Sequence, residues 1–202
     1  MRRATRILKG SATYDDRFFS DHRELEEALE ALRQLGCAIV FTTGVWDLFH
    51  IGHADYIAKG REEAAKLLPD AEHLIMVVGV DSDELTRARK GTNRPIVPEE
   101  ERLHVLGHIR SVDILVLQYE LNQLYSIVRP EVLVVSSSTK DLPGDMQQTL
   151  GPYCGQFCVL PPQALTSTTE RIRKLTIDGA GELAKQVQET IHNFLRGGKN
   201  AP

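Results

Sequence analysis

Cysteine is scarce in this chain, with Cys37, Cys154 and Cys158 the only three among 202 residues. An odd number so widely spread implies no disulfide framework and suits a reducing compartment. No paired Cys/His set at zinc spacing accompanies Cys154 and Cys158, so a zinc site is not expected. Long apolar runs are missing too. Nothing approaches the roughly 20 residues of a membrane span. The start of the chain, two arginines after Met1, lacks the apolar stretch of about 7–15 residues that marks a secretory signal. A cytoplasmic location is therefore expected. There is no excess of positive charge either: 24 Lys and Arg stand against 28 Asp and Glu, for a net charge of -4. General nucleic-acid or membrane binding has no support from that balance, and an anionic substrate would have to meet a local basic cluster.

What is present fits a globular domain. Hydrophobic residues make up 42% and charged residues 26%, enough to bury a core, and the length favours one domain with small appendages. Residues 1–20 read as polar and irregular. Ser20-Asp21 then starts a helix, Leu25, Ala28, Leu29 and Leu32 recur at helical spacing, and Gly36 stops it. Continuous apolar runs of strand length follow at Cys37–Phe41, Leu74–Val80, Val112–Leu117 and Val132–Val135, with a weaker one at Gln156–Leu160. Runs apolar on both faces suit buried parallel strands. Helical patterns separate them, at 53–68, from Pro98 onward, and along Leu121, Leu124, Tyr125 and Val128. The alternation predicts an α/β fold, a doubly wound, Rossmann-like parallel sheet of about five strands with an extra C-terminal helix. The expected divisions are an N-terminal extension over 1–36, a main domain over 37–178, and a helix with tail over 179–202. The last carries a stripe of Leu183, Val187, Ile191 and Leu195.

In such a sheet the ligand lies at the carboxyl ends of the strands. Three segments of unusual composition fall there, at 42–53, 81–102 and 162–173. In the first, His50-Ile51-Gly52-His53 follows a buried strand and opens a helix. Backbone N–H groups and the helix dipole favour an anion there, Gly52 lets a nucleotide approach the backbone, and imidazoles can donate to phosphate oxygens. The chemistry this suits is attack of a phosphate on the α-phosphorus of a nucleoside triphosphate, whose transition-state charge fixed donors stabilise. The alternative is a pair of structural histidines capping a helix. In the second segment Arg87, Arg89, Lys90 and Arg94 make a basic stretch, suited to a triphosphate or the phosphate of a second substrate, or simply a solvated loop. In the third, Ser167 and Glu170 have capping-box spacing, and hydroxyls at a helix start can also bind phosphates.

The run Gly44-Val45-Trp46-Asp47-Leu48-Phe49-His50-Ile51-Gly52-His53 resembles the signature of the cytidylyltransferase-like superfamily of nucleotidyltransferases. Class I aminoacyl-tRNA synthetases share the tetrapeptide, but no Lys-Met-Ser-Lys-Ser segment is present. The stretch Lys90-Gly91 to Arg94-Pro95-Ile96-Val97-Pro98-Glu99-Glu100-Glu101-Arg102 looks most like the branch that activates heptose 1-phosphate, with glycerol-3-phosphate cytidylyltransferases nearby. The resemblance implies His50, His53 and Lys90 as catalytic groups. It implies Thr43, Gly44, Asp47 and Gly52 against the nucleotide, with Ser167, Thr168, Thr169 and Arg171 on its phosphates. It implies Arg102 for the second substrate, while Ser136 is expected there on its own account, at the head of a hydroxyl-rich stretch that can meet the acceptor or the base. It also implies a Mg2+ ion carried with the nucleoside triphosphate, a phosphorylated small-molecule acceptor and, with the extra helix, a homodimer. ATP with a sugar 1-phosphate is the first expectation. CTP with glycerol 3-phosphate, ATP with FMN, and a non-catalytic nucleotide-binding protein of the same fold are the alternatives. The chain departs from the heptose branch after its fourth strand, where Val135-Ser136-Ser137-Ser138-Thr139-Lys140-Asp141 stands in place of Lys-Gly-Gly-Asp-Tyr.

Overall fold

The computed structural model describes residues 2–139, 145–163, 176 and 179–189. In chain order the elements are α1 (Arg2–Leu8), α2 (Tyr14–Arg17), β1 (Phe18–Phe19), α3 (His22–Gln34), β2 (Cys37–Gly44), α4 (Ile51–Leu67) and β3 (His73–Asp81). There follow α5 (Asp83–Lys90), α6 (Glu99–Gly107), β4 (Ile114–Gln118), α7 (Gln123–Val128), β5 (Val132–Ser136), α8 (Met146–Leu150) and β6 (Gln156–Leu160). The chain divides into two units, Met1–Ala164 and Leu165–Pro202.

All six strands run parallel in the order β1-β4-β3-β2-β5-β6. The fold is thus an α/β Rossmann-like sheet with flanking helices. Residues alternate between faces along each strand, so β2 sends Ile39 and Phe41 to a core shared with α3 and α7, and Val40 to one shared with α4 and α6. The long β2–β3 ladder, from Cys37↔His73 to Gly44↔Val80, forms the centre of the sheet. Helix α3 starts where Asp21 accepts the N–H groups of Arg23 and Glu24. It buries Leu25, Leu29 and Leu32, and ends at Gly36, whose φ of +79° suits a residue without a side chain. Cys154 and Cys158 pack into the two different cores. Both are buried free thiols, and burial pushes the Cys154 thiol up to about 11.

The five expected strands are all present. Beside them stands a sixth, β1, inside the segment read as irregular. Its two residues pair with Leu115 and Val116 of β4, and Phe19 is buried beneath the Arg3 guanidinium, 3.8 Å from the ring centroid. Ala4 and Ile7 of α1 are buried in the same core, so residues 2–36 are built into the domain and not appended to it. These elements are too short for periodicity to register. The same reason hides α5 in the basic stretch, where only Leu85 and Thr86 face inward. In the second unit residues 179–189 are helical, with Leu183 and Val187 exposed. Ile191 and Leu195 lie outside the described residues. No helix among the described residues is long and apolar enough to cross a membrane.

Helix α4 lies tight on β5. A Cβ on Gly60 would stand 2.9 Å from Val134 Cγ1 and 3.2 Å from its Cγ2. Replacing a helical glycine by alanine ordinarily gains about 1 kcal/mol, whereas overpacking a core costs about 1–3 kcal/mol. Val134 is buried and β-branched, so its side chain has little freedom to retreat. Gly60→Ala is therefore expected to lower the urea midpoint. A raised midpoint would show that α4 sits further from the sheet.

Candidate active site

Winding of the sheet reverses at β2, which has β3 on one side and β5 on the other. Strands β2 and β5 are paired at Val40↔Val132 and Phe41↔Leu133. Thr42–Gly44 and Val134–Ser136 run on beyond that ladder. A parallel sheet opens its ligand crevice at such a point, beyond the carboxyl ends. The segments that leave these two ends are the turn from Val45 to His50 and the serines that begin at Ser136.

The turn after β2 is held from several sides. Trp46 and Leu48 both have positive φ, 58° and 46°. Such backbone costs about 1–3 kcal/mol per residue and persists only where surroundings enforce it. Buried Trp46 donates its indole Nε1–H to the Gly79 carbonyl of β3 at 2.8 Å. Asp47, also buried, accepts the N–H of Ile96 at 3.1 Å and of Val97 at 3.0 Å, and pairs with Arg94 Nε at 3.2 Å. Arg102 of α6 donates from Nε to the Val97 carbonyl at 2.9 Å, from Nη1 to the Val45 carbonyl, and from Nη2 to Asp83 Oδ1 at 2.7 Å. Only 1% of its surface is exposed. All three of its nitrogens are thus engaged inside the protein. Arg102, for which the resemblance implied the second substrate, stands in this structure as an internal tie with three of its five N–H donors used.

His50 caps α4. Its Nδ1 accepts the Gly52 N–H at 3.1 Å, so that nitrogen carries no proton and the neutral ring is the Nε2–H tautomer. His53 stacks on it, with centroids 4.0 Å apart and planes 21° from parallel. The Trp46 ring meets His53 edge-on at 5.6 Å, and Phe49 lies 5.4 Å away. The two imidazoles therefore share one position at the head of a 17-residue helix, beside the positive end of its dipole. Gly52 is buried in the first turn. One turn further on, Tyr56 meets Thr42 Oγ1 at 3.3 Å. Burial pushes its hydroxyl up to about 12, so it stays neutral.

The remaining candidates are placed as follows. Thr43 Oγ1 is buried near the end of β2 with no hydrogen-bond partner among the described residues, and Gly44 lies under the Trp46 ring. Lys90 is the exposed last residue of α5, ahead of Gly91 with φ +94°. Ser136 ends β5, its Oγ 2.9 Å from Ser138 Oγ. Ser167, Thr168, Thr169, Arg171 and Lys140 lie outside the described residues. Sequence reading passed over Trp46, although its being the only tryptophan marked it. It also passed over buried Asp81 at the end of β3, which binds Arg89 and accepts from Gln118 Nε2 at 3.2 Å. A carboxylate at a strand end gives no signal of its partner eight residues away on an unexpected helix.

A six-stranded parallel sheet with a histidine-capped helix at its switch point defines an α/β domain of the Rossmann-like class. The chain belongs to the cytidylyltransferase-like family, whose model matches residues 41–175. It is 32% identical over 161 residues to the bifunctional protein HldE of Escherichia coli O1:K1, covering 78% of this chain and 32% of that one. It is 35% identical over 127 residues to the bifunctional protein HldE of Nitratiruptor, covering 62% of this chain and 26% of that one. The chain thus spans about a third or less of the curated relatives it matches. Among solved structures it is similar to the lipopolysaccharide core biosynthesis protein of Thermoplasma volcanium, with 24% identity and a TM-score of 0.48 over 61% of this chain and 95% of that one.

The buried Asp47 carboxylate is the joint between two loops, so its removal should be felt in stability. Asp47→Ala leaves two backbone N–H groups and the mostly buried Arg94 without their acceptor. Breaking a buried pair costs about 3–5 kcal/mol, and the 16% exposure of Arg94 favours the lower end. A marked fall in thermal midpoint is expected by differential scanning calorimetry. An unchanged midpoint would mean that Asp47 does not hold the 94–97 segment.

Proposed function

We propose that this chain transfers a nucleotidyl group from a nucleoside triphosphate, ATP in the first place, to a phosphorylated small molecule of the sugar-phosphate class, releasing pyrophosphate. The observation that carries this reading is the state of His50. With Nδ1 committed to the Gly52 N–H, its only proton stands on Nε2, stacked with His53 at the mouth of the β2–β5 crevice. Two imidazole donors fixed at a helix start stabilise charge that grows on phosphate oxygens, and they need no reorganisation to do so.

An oxygen of the acceptor's phosphate attacks the α-phosphorus, forming a new P–O bond on the side opposite the β-phosphate. The α–β bridging P–O bond breaks, and its electron pair leaves on pyrophosphate. The attacking oxygen is already anionic, so no general base and no covalent enzyme intermediate are required. His50 and His53 donate to the oxygens on which charge accumulates. Lys90, and the hydroxyls of Ser167, Thr168 and Thr169 with Arg171, are assigned to the triphosphate. Magnesium enters as part of the nucleotide substrate and neutralises part of its charge.

The sugar-phosphate class rests on the similarity to the HldE proteins and on the resemblance of the Lys90–Arg102 stretch to the heptose branch. The serine-rich exit of β5 qualifies it. Ser137 N–H bonds the Leu160 carbonyl at 2.8 Å and Ser138 N–H meets Ser136 Oγ at 3.3 Å, giving an ordered set of uncharged hydroxyls beside the crevice. Hydroxyls accept and donate without fixing a second phosphate, which suits a polyol or a base edge.

Pyrophosphate release measured for four nucleoside triphosphates against a panel of sugar, alcohol and flavin phosphates tests the reading. Release is expected with one nucleotide strongly preferred and only when acceptor is present. His53→Ala should lower turnover about 100-fold or more while nucleotide affinity changes little. Near-normal turnover in that variant would sink the mechanism, and no acceptor-dependent release from any pair would sink the function.

A further inference from the structure

Five cations occupy the stretch from the end of β3 into α6, and the structure separates them. Arg102 has its three nitrogens bonded within the protein. Arg89 is paired with buried Asp81. Arg87 and Lys90 are exposed on the last turn of α5. Arg94 differs from all of them. Its side chain is 16% exposed, and its ion pair with Asp47 has Nε 3.2 Å from Oδ2. Its terminal nitrogens Nη1 and Nη2 make no hydrogen bond among the described residues, and they are not among the atoms sealed from solvent.

We infer that Arg94 presents its two terminal nitrogens as a preset fork for a substrate phosphoryl group, with Asp47 holding the guanidinium by its third nitrogen. The geometry matches what phosphate recognition needs. Guanidinium is planar, always charged, and binds two oxygens of a phosphate through parallel N–H donors. Fixing Nε removes the rotational freedom that a surface arginine would lose on binding. Asp47 belongs to the turn that leads into His50 and His53, so the fork is tied to the same turn as the two imidazoles. Leaving the pair unbroken costs the carboxylate nothing, since it keeps its bonds from Ile96 and Val97 while the fork is filled. A solvated loop would give a different picture, with Arg94 exposed and untethered.

The inference rests on the nucleotidyl-transfer reading for its substrates, and two phosphates are available: the nucleotide's and the acceptor's. Binding and steady-state kinetics of the whole chain separate them. Affinities for magnesium ATP, magnesium CTP and inorganic pyrophosphate are measured by isothermal titration, and the acceptor's KM by pyrophosphate release. Arg94→Ala is expected to weaken one phosphate-bearing ligand roughly tenfold or more, the loss of one charge-assisted contact. Arg94→Lys, which keeps the charge but not the fork, should recover little of it. Weakened ATP and pyrophosphate assign the fork to the nucleotide, and a raised acceptor KM alone assigns it to the acceptor. Unchanged affinities and KM in either variant, with the protein folded by circular dichroism, overturn the inference. Where Arg94→Ala fails to fold, Arg94→Lys decides, and full wild-type affinity in it counts against the fork. If the native protein forms no product but binds pyrophosphate through Arg94, the fork stands and the proposed function falls. If it binds neither nucleotide nor pyrophosphate, both fall.

Discussion

Parallel strands placed on both sides of β2 leave its carboxyl end with neighbours whose crossovers depart in opposite directions. The chain there has to turn out of the sheet, and the β2–β5 ladder stops at Phe41 and Leu133 as it does so. Everything assembled at the crevice depends on how that exit is held. Seven residues after Gly44 the helix α4 begins, and its first turn carries the two histidines. Their separation and stacking follow from helical spacing. Where they point is set by the turn between.

That turn is unfavourable on its own. Two non-glycine residues in left-handed conformation, Trp46 and Leu48, lie on either side of a buried aspartate. Compensation comes from other elements: the Gly79 carbonyl for the indole, the Ile96 and Val97 amides for Asp47, and the Arg102 guanidinium for the Val45 carbonyl. The ties join the β2–α4 turn to β3, to α6 and to the segment between them. Asp83 and Glu99 extend the set, since the Asp83 N–H donates to Glu99 while its carboxylate receives Arg102. Buried charges of this kind are poor contributors to stability in general. Here they fix the relative position of two loops, one bearing imidazoles and the other cations.

Much of this was legible in the amino-acid sequence. Five of the six strands announced themselves as continuous apolar runs, and α4 because a histidine-glycine-histidine cluster marks its start. The resemblance of residues 44–53 and 90–102 to known nucleotidyltransferases supplied the family, which the match over residues 41–175 establishes. What escaped reading was of two kinds. Short elements such as β1 and α5 bury one or two residues each, too few for a pattern. Pairings across the chain escaped as well: nothing in the composition of 87–102 tells which cation is consumed internally, because the acceptors that consume Arg89 and Arg102 are a strand-end carboxylate and backbone carbonyls. Arg102, implied for the substrate, is buried with three internal hydrogen bonds, while Arg94 is held by Asp47 on the turn that leads to the histidines.

The account's central claim is a single direct displacement at the α-phosphorus, stabilised by two fixed imidazoles and without a nucleotidyl-enzyme. The stereochemical course of transfer from a nucleoside triphosphate made chiral at its α-phosphorus by sulfur tests it most directly. One in-line displacement predicts inversion of configuration in the product. Retention would require two displacements and a covalent intermediate, and would contradict the role assigned here to His50 and His53.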